Sequence, residues 1–285
     1  MWRKLRILLE MIKFEHTIFA LPFAFTGAFL AAEGAPPLTK SLLILGAMVG
    51  ARTAAMTFNR LVDLPFDAEN PRTRKRPLVT GEVSKKDAWI LFLVAVGGFF
   101  LCARALNSLT FKLSPVALFV ILAYSYTKRF TWLCHVFLGL AIGLAPLAGW
   151  IAITPRFDLI PLLLSAGVLF WVAGFDILYA CLDEDFDRQK GLYSIPARFG
   201  RRRAFFISAV FHALAFFLFA FTGYLADLSW IYYLGLLITL ALFIAQRVVI
   251  SPQDLSRLNL SFFTFNGAIS VVLFLATAGD LLFLK

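Results

Sequence analysis

The chain has 285 residues, 60% of them hydrophobic and only 15% charged. Soluble domains carry roughly a quarter charged residues, and the apolar residues here fall in long runs, so a water-soluble fold is excluded. The net charge of +10 does not mark a nucleic-acid binder, because Lys and Arg sit in short loops between apolar runs, where they set membrane orientation.

A basic segment, Met1-Trp2-Arg3-Lys4-Leu5-Arg6, opens the chain. No small-residue cleavage site follows the first apolar run, which is therefore read as a retained span and not a signal peptide. Nine helices are expected, at 17–32, 41–59, 88–106, 114–127, 133–153, 159–182, 204–225, 229–249 and 260–282. About 20 apolar residues cross the hydrocarbon core as a helix, and an open sheet could not satisfy its backbone there. The expected fold is thus all-α and polytopic, with residues 1–285 forming a single transmembrane domain. Of the 27 Lys and Arg, twenty fall in loops on one side of these helices, five on the other, and Arg52 and Arg60 in the second helix or at its end. That asymmetry places the N-terminus and the long loops in the cytoplasm and the C-terminus outside.

Cys102, Cys134 and Cys181 match no metal or disulfide spacing and are read as small buried residues. His16, His135 and His212 are read as hydrogen-bonded packing residues, lone imidazoles in apolar helices. His16 is singled out because Phe14-Glu15-His16 opens the first helix. Gly139, Gly143, Pro146 and Gly149 point to close helix packing and a kink.

The two long loops each open with carboxylates at a helix end. The first reads Asn59, Asp63, Asp67, and the second Asp176, Tyr179, Asp183, Asp187. Residues four apart share a helical face, so each set forms an oxygen-rich stripe, with Pro65 a possible distortion in the first. Asp63 to Asp183 and Asp67 to Asp187 are each separated by 120 residues. The register suggests two pseudo-repeated four-helix units plus a ninth helix. Ionisable groups at membrane depth are costly and mark function by default. Carboxylates without Cys or His select hard cations, and Mg²⁺ favours a few carboxylates together with phosphate oxygens. With Arg72–Arg76 following one cluster and Arg188, Lys190 and Arg198 the other, the implied ligand is a diphosphate.

These motifs resemble the UbiA family of intramembrane prenyltransferases. Asn59, Asp63 and Asp67 are similar to the family's N-x₃-D-x₃-D motif, and Asp176, Tyr179, Asp183 and Asp187 to its D-x₂-Y-x₃-D-x₃-D motif. Arg72 to Leu78 resembles its R-x₃-R-P-L segment, and Tyr124 to Arg129 its Y-x₃-K-R segment. The resemblance implies that Asp63, Asp67, Asp183 and Asp187 hold Mg²⁺, assisted by Asn59, while Arg72, Arg76, Lys128 and Arg198 bind a polyprenyl diphosphate. Tyr124 and Tyr179, inside motifs, would face an allylic carbocation. Arg52, about two turns deeper than Asn59, would bind the carboxylate of a small aromatic acid, most simply 4-hydroxybenzoate. Asp176 would accept its phenol proton. The family expectation is thus quinone biosynthesis, of ubiquinone or menaquinone type, in the plasma (inner) membrane of a prokaryote. A dihydroxynaphthoate acceptor remains an alternative. A secondary transporter is the competing class, since transporters are also built from repeats.

Overall fold

The computed structural model describes residues 2–12 and 19–285, so His16 and the start of the expected first helix lie outside the described residues. Among the described residues there is no strand. Helices are α1 (Trp2–Met11), α2 (Leu21–Ala32), α3 (Leu38–Val62), α4 (Leu64–Glu69), α5 (Pro77–Thr80), α6 (Lys85–Leu106) and α7 (Ser108–Thr127). They continue as α8 (Cys134–Ile153), α9 (Leu159–Ala180), α10 (Glu184–Lys190), α11 (Ile195–Leu225), α12 (Trp230–Val249), α13 (Leu258–Leu260) and α14 (Asn266–Phe283), the last preceded by a π-helical turn over Ser261–Phe265. Eight of the described helices are long and apolar enough to cross a membrane, and α2 is a shorter apolar ninth. The short helices α4, α5 and α10 sit in the long loops.

Several boundaries differ from the sequence expectation for local reasons. Helix α7 begins at Ser108 instead of 114, because Asn107 ends α6 and caps α7, accepting the Thr110 N–H at 2.8 Å. Pro115 then falls inside the helix with no N–H for the Phe111 carbonyl; the Ser114 hydroxyl donates to that oxygen instead, at 2.7 Å. Helix α11 begins nine residues early, capped by Ser194, and breaks at Gly200, whose φ of 79° is left-handed. The stripe 59–63–67 is not one continuous helix. Helix α3 stops at Val62 and α4 starts at Leu64, with Pro65 in its first turn.

The two acidic clusters nevertheless share one backbone design. Asp63 joins α3 to α4 with φ −87° and ψ 1°, and Asp183 leads into α10 with φ −106° and ψ 7°. In each, the N–H four residues on (Asp67 or Asp187) donates to the first aspartate's carbonyl at 2.8 Å.

Helix α8 lies against α2, α7 and α9. A methyl group at Gly149 would overlap the Ala24 carbonyl of α2, and one at Gly139 the Leu169 carbonyl of α9. Lipid offers no hydrophobic drive between helices, so such close backbone contact supplies the packing. The largest buried side chains, Trp171, Phe23 and Phe219, pack together where α2, α9 and α11 meet, Phe23 stacked on Phe219 and tilted against Trp171. Buried Asp280 is satisfied by the Ser229 and Tyr232 N–H groups, free donors at the start of α12.

Candidate active site

At the end of the bundle carrying the long loops, a cavity of about 140 Å³ brings both acidic clusters together. Its lining includes Asn59, Asp63, Asp67, Asn70, Arg72, Arg76, Lys128, Arg129 and Asp183. Asp187 stands just behind, fully buried. Each carboxylate is matched to a cation. Arg72 grips Asp183 with two parallel bonds of 2.9 and 2.6 Å, the fork geometry that gives guanidinium its specificity. Arg76 meets Asp67 at 2.5 Å, Lys128 meets Asp187 at 2.8 Å and Arg129 meets Asp63 at 3.4 Å. The Arg72 pairing crosses from one cluster to the other, and Lys190 with Glu69 adds a second cross-link.

Amides and hydroxyls complete the set. Asn59 donates to Asp63 at 2.8 Å, Asn70 to Asp183 at 3.1 Å and Ser194 to Asp187 at 3.0 Å. Burial, with Asp67 nearby, pushes the Asp63 carboxyl above its ordinary value. Burial likewise raises Asp187, against the opposing pull of Lys128. At Asp183 burial works in the same direction, but the hydrogen bonds and charge of Arg72, with Lys128 and Asn70, outweigh it and hold the carboxyl low.

Among the described residues, no group of three or more His, Cys, Asp or Glu converges as a metal site. The donor set, aspartate oxygens flanked by the Asn59 and Asn70 amides, nonetheless suits a hard divalent ion such as Mg²⁺ and no soft one.

The remaining expected residues divide. Tyr179 lies under Arg72, its ring centroid 5.3 Å from the guanidinium carbon and its hydroxyl 3.3 Å from Nη1. Arg52 and Tyr124 line a second, apolar cavity of about 190 Å³ between α2, α3, α6, α7 and α8. Seven helical residues separate Arg52 from Asn59, about 10 Å along the axis, so the apolar cavity lies deeper in the bundle than the charged one. Tyr124 lies one helical turn before Lys128, which lines the charged cavity, and so stands at the end of the apolar cavity nearer to it. Asp176 lines neither cavity; its Oδ2 lies 2.7 Å from His135 Nδ1.

Arg198 is not brought to the site. It is exposed, and its guanidinium lies over the Phe199 ring at 5.6 Å, because the turn of α11 before Gly200 directs it away from the cavity. Sequence reasoning missed Asn70, Ser194 and the cavity role of Arg129. Asn70 lies three residues past Asp67, a spacing with no motif to flag it.

Comparison with known proteins fits this geometry. Residues 20–269 match the UbiA prenyltransferase family. The 4-hydroxybenzoate octaprenyltransferase of Escherichia fergusonii is 32% identical over 250 residues, covering 88% of this chain and 86% of that one. The apo structure of a UbiA homolog from Aeropyrum pernix K1 is similar with a TM-score of 0.86 and 36% identity, covering 94% of this chain and 98% of that chain. A UbiA homolog from Archaeoglobus fulgidus, solved with GPP and Mg²⁺, shares the fold with a TM-score of 0.74 and 22% identity, covering 96% and 99%. The fold and its charged cavity are those of an intramembrane transferase. The chain belongs to the UbiA prenyltransferase family; it is a prenyltransferase, and the transporter alternative falls.

Proposed function

We propose that this protein transfers a polyprenyl group from a prenyl diphosphate to the ring of 4-hydroxybenzoate, in Mg²⁺-dependent quinone biosynthesis of the ubiquinone type. The observation that carries the reading is the arrangement of the two cavities: a carboxylate- and cation-lined end above an apolar chamber headed by Arg52 and Tyr124. A prenyl diphosphate has the same division, charged head and apolar tail. The octaprenyltransferase relatives and the GPP- and Mg²⁺-bound homolog support the same donor and metal.

Asp63, Asp67, Asp183 and Asp187, with Asn59, would hold Mg²⁺, which when bound neutralises the diphosphate and eases departure of pyrophosphate. Arg72, Arg76 and Lys128 exchange their present carboxylate partners for phosphate oxygens; charge-assisted bonds form on both sides of the exchange. The Tyr124 and Tyr179 rings face the allylic cation. Arg52 binds the acceptor's carboxylate, and Asp176 takes its phenol proton. The whole chain acts as one domain in a prokaryotic inner membrane, with the charged cavity and the N-terminus on the cytoplasmic side, as the distribution of Lys and Arg supports.

Purified protein is incubated with Mg²⁺ and geranyl diphosphate, offering 4-hydroxybenzoate and 1,4-dihydroxy-2-naphthoate separately. Prenylated 4-hydroxybenzoate is expected, lost with EDTA and lost in Asp63→Ala and Asp183→Ala proteins that still fold. Product from the naphthoate alone would reassign the acceptor, and full activity in either variant would remove the metal–diphosphate reading.

A further inference from the structure

We propose that His135 is a positioning residue that holds the Asp176 carboxylate in place to receive the acceptor's phenol proton; the inference rests on the role proposed above for Asp176. His135 is 2% exposed, in the first turn of α8. Its two ring nitrogens have different partners. The Ile195 N–H points at Nε2 at 3.2 Å. Ile195 is the first residue of α11, where N–H groups have no carbonyl partner within the helix. An N–H donor requires a lone pair on Nε2, so the imidazole proton resides on Nδ1. Nδ1 therefore donates to Asp176 Oδ2 at 2.7 Å.

That bond commits one carboxylate oxygen. Among the described residues no donor reaches the other, Oδ1. The Asp176 side chain is 24% accessible while Phe175 and Ile177 beside it are 3% and 0% exposed, so the carboxylate keeps an accessible edge on an otherwise buried stretch of α9. The same turn of α11 also serves the charged cavity, since Ser194 caps the helix and donates to Asp187. One helix start thus sets the position of both Asp187 and, through His135, Asp176.

In the transfer, the C–O bond of the prenyl diphosphate breaks with its electron pair on pyrophosphate. The ring carbon ortho to the hydroxyl forms the new C–C bond as the phenol proton moves to Asp176 Oδ1. Asp176 returns that proton to oxygen as the ring C–H proton is lost, so one proton leaves with pyrophosphate. His135 keeps its own proton throughout.

The test uses full-length His135→Leu, His135→Gln, His135→Asn and Asp176→Asn, with kcat and KM for geranyl diphosphate and 4-hydroxybenzoate, and thermal unfolding. An Asn amide can replace the Nδ1 donor, whereas Gln reaches only the Ile195 side. His135→Leu and His135→Gln are expected to lose roughly 10- to 100-fold in kcat, with KM for geranyl diphosphate within about twofold. His135→Asn recovers most of the loss, and adding His135→Leu to Asp176→Asn costs no more. A more acidic phenol, 3-fluoro-4-hydroxybenzoate, narrows the gap between the wild type and His135→Gln. Equal kcat in the Asn and Gln variants would overturn the inference, as would losses that track melting temperature alone. Full activity in Asp176→Asn would instead remove the assignment of the base; an inactive Asp176→Asn with active His135 variants removes only the role of His135.

Discussion

Lys128→Met tests how the cavity holds its charge in the metal-free state. Lys128 Nζ is 2.8 Å from Asp187 Oδ1, and the two side chains are 35% and 0% exposed. Burial works to lower the Lys128 pKa, yet the charge and hydrogen bond of Asp187 outweigh it, so the amine is held above its ordinary value. Removing one partner of a buried pair costs about 3–5 kcal/mol, because the other charge is left unpaired. Solvent around the third-exposed lysine and the remaining Ser194 bond reduce that to about 2 kcal/mol, or a Tm lower by roughly 4–6 °C. The pH dependence has a definite sign. Burial already raises Asp187, and loss of Lys128 raises it further, so the folded state binds this proton more tightly than the unfolded chain does. The deficit is therefore full above the folded pKa and shrinks as the pH falls through it. Thermal unfolding in detergent with EDTA, at pH 7.5 and then at stepwise lower pH, reads both effects. The double variant Lys128→Met/Asp187→Asn, which removes the charge as well as its partner, should regain most of the lost Tm. An unchanged Tm at pH 7.5, or no recovery in the double variant, would refute the reasoning.

Arg52→Ala is expected to raise KM for 4-hydroxybenzoate at least tenfold, the value of a bond to a charged group, while KM for geranyl diphosphate changes little; steady-state kinetics with each substrate varied separates them. Arg198→Ala should leave KM for geranyl diphosphate within about twofold, since the structure places this side chain over Phe199 and away from the cavity; a large increase would restore it to the diphosphate site. Gly149→Ala should destabilise the bundle by about 1–3 kcal/mol through overpacking, because its methyl would meet the backbone carbonyl of Ala24 and not a movable side chain. Thermal unfolding of the purified variant checks this, and an unchanged Tm would show that α2 and α8 can separate freely.

The class of the molecule was determined by composition and periodicity, because the bilayer permits few solutions: long apolar runs must be helices, and acids among them must be used. The candidate site was legible where residues recur at fixed spacing, as in Asn59, Asp63 and Asp67 or Asp183 and Asp187. Local structure departed from that reading where one residue overrides a pattern: Asn107 caps α7 six residues before its expected start, and Pro65 restarts the helix after Asp63. Partnership across the chain was beyond any spacing rule. Arg72 lies 111 residues from Asp183, Asn70 113 from the same carboxylate, and His135 60 from Ile195. Arg198 carries the same charge as Arg72 in an equally basic loop, yet only Arg72 reaches the cavity. Sequence determined which ionisable groups the membrane end would carry; only the packing of α3, α7, α9 and α11 decided which of them meet, because hydrogen bonds and ion pairs depend on distances that close when helices dock.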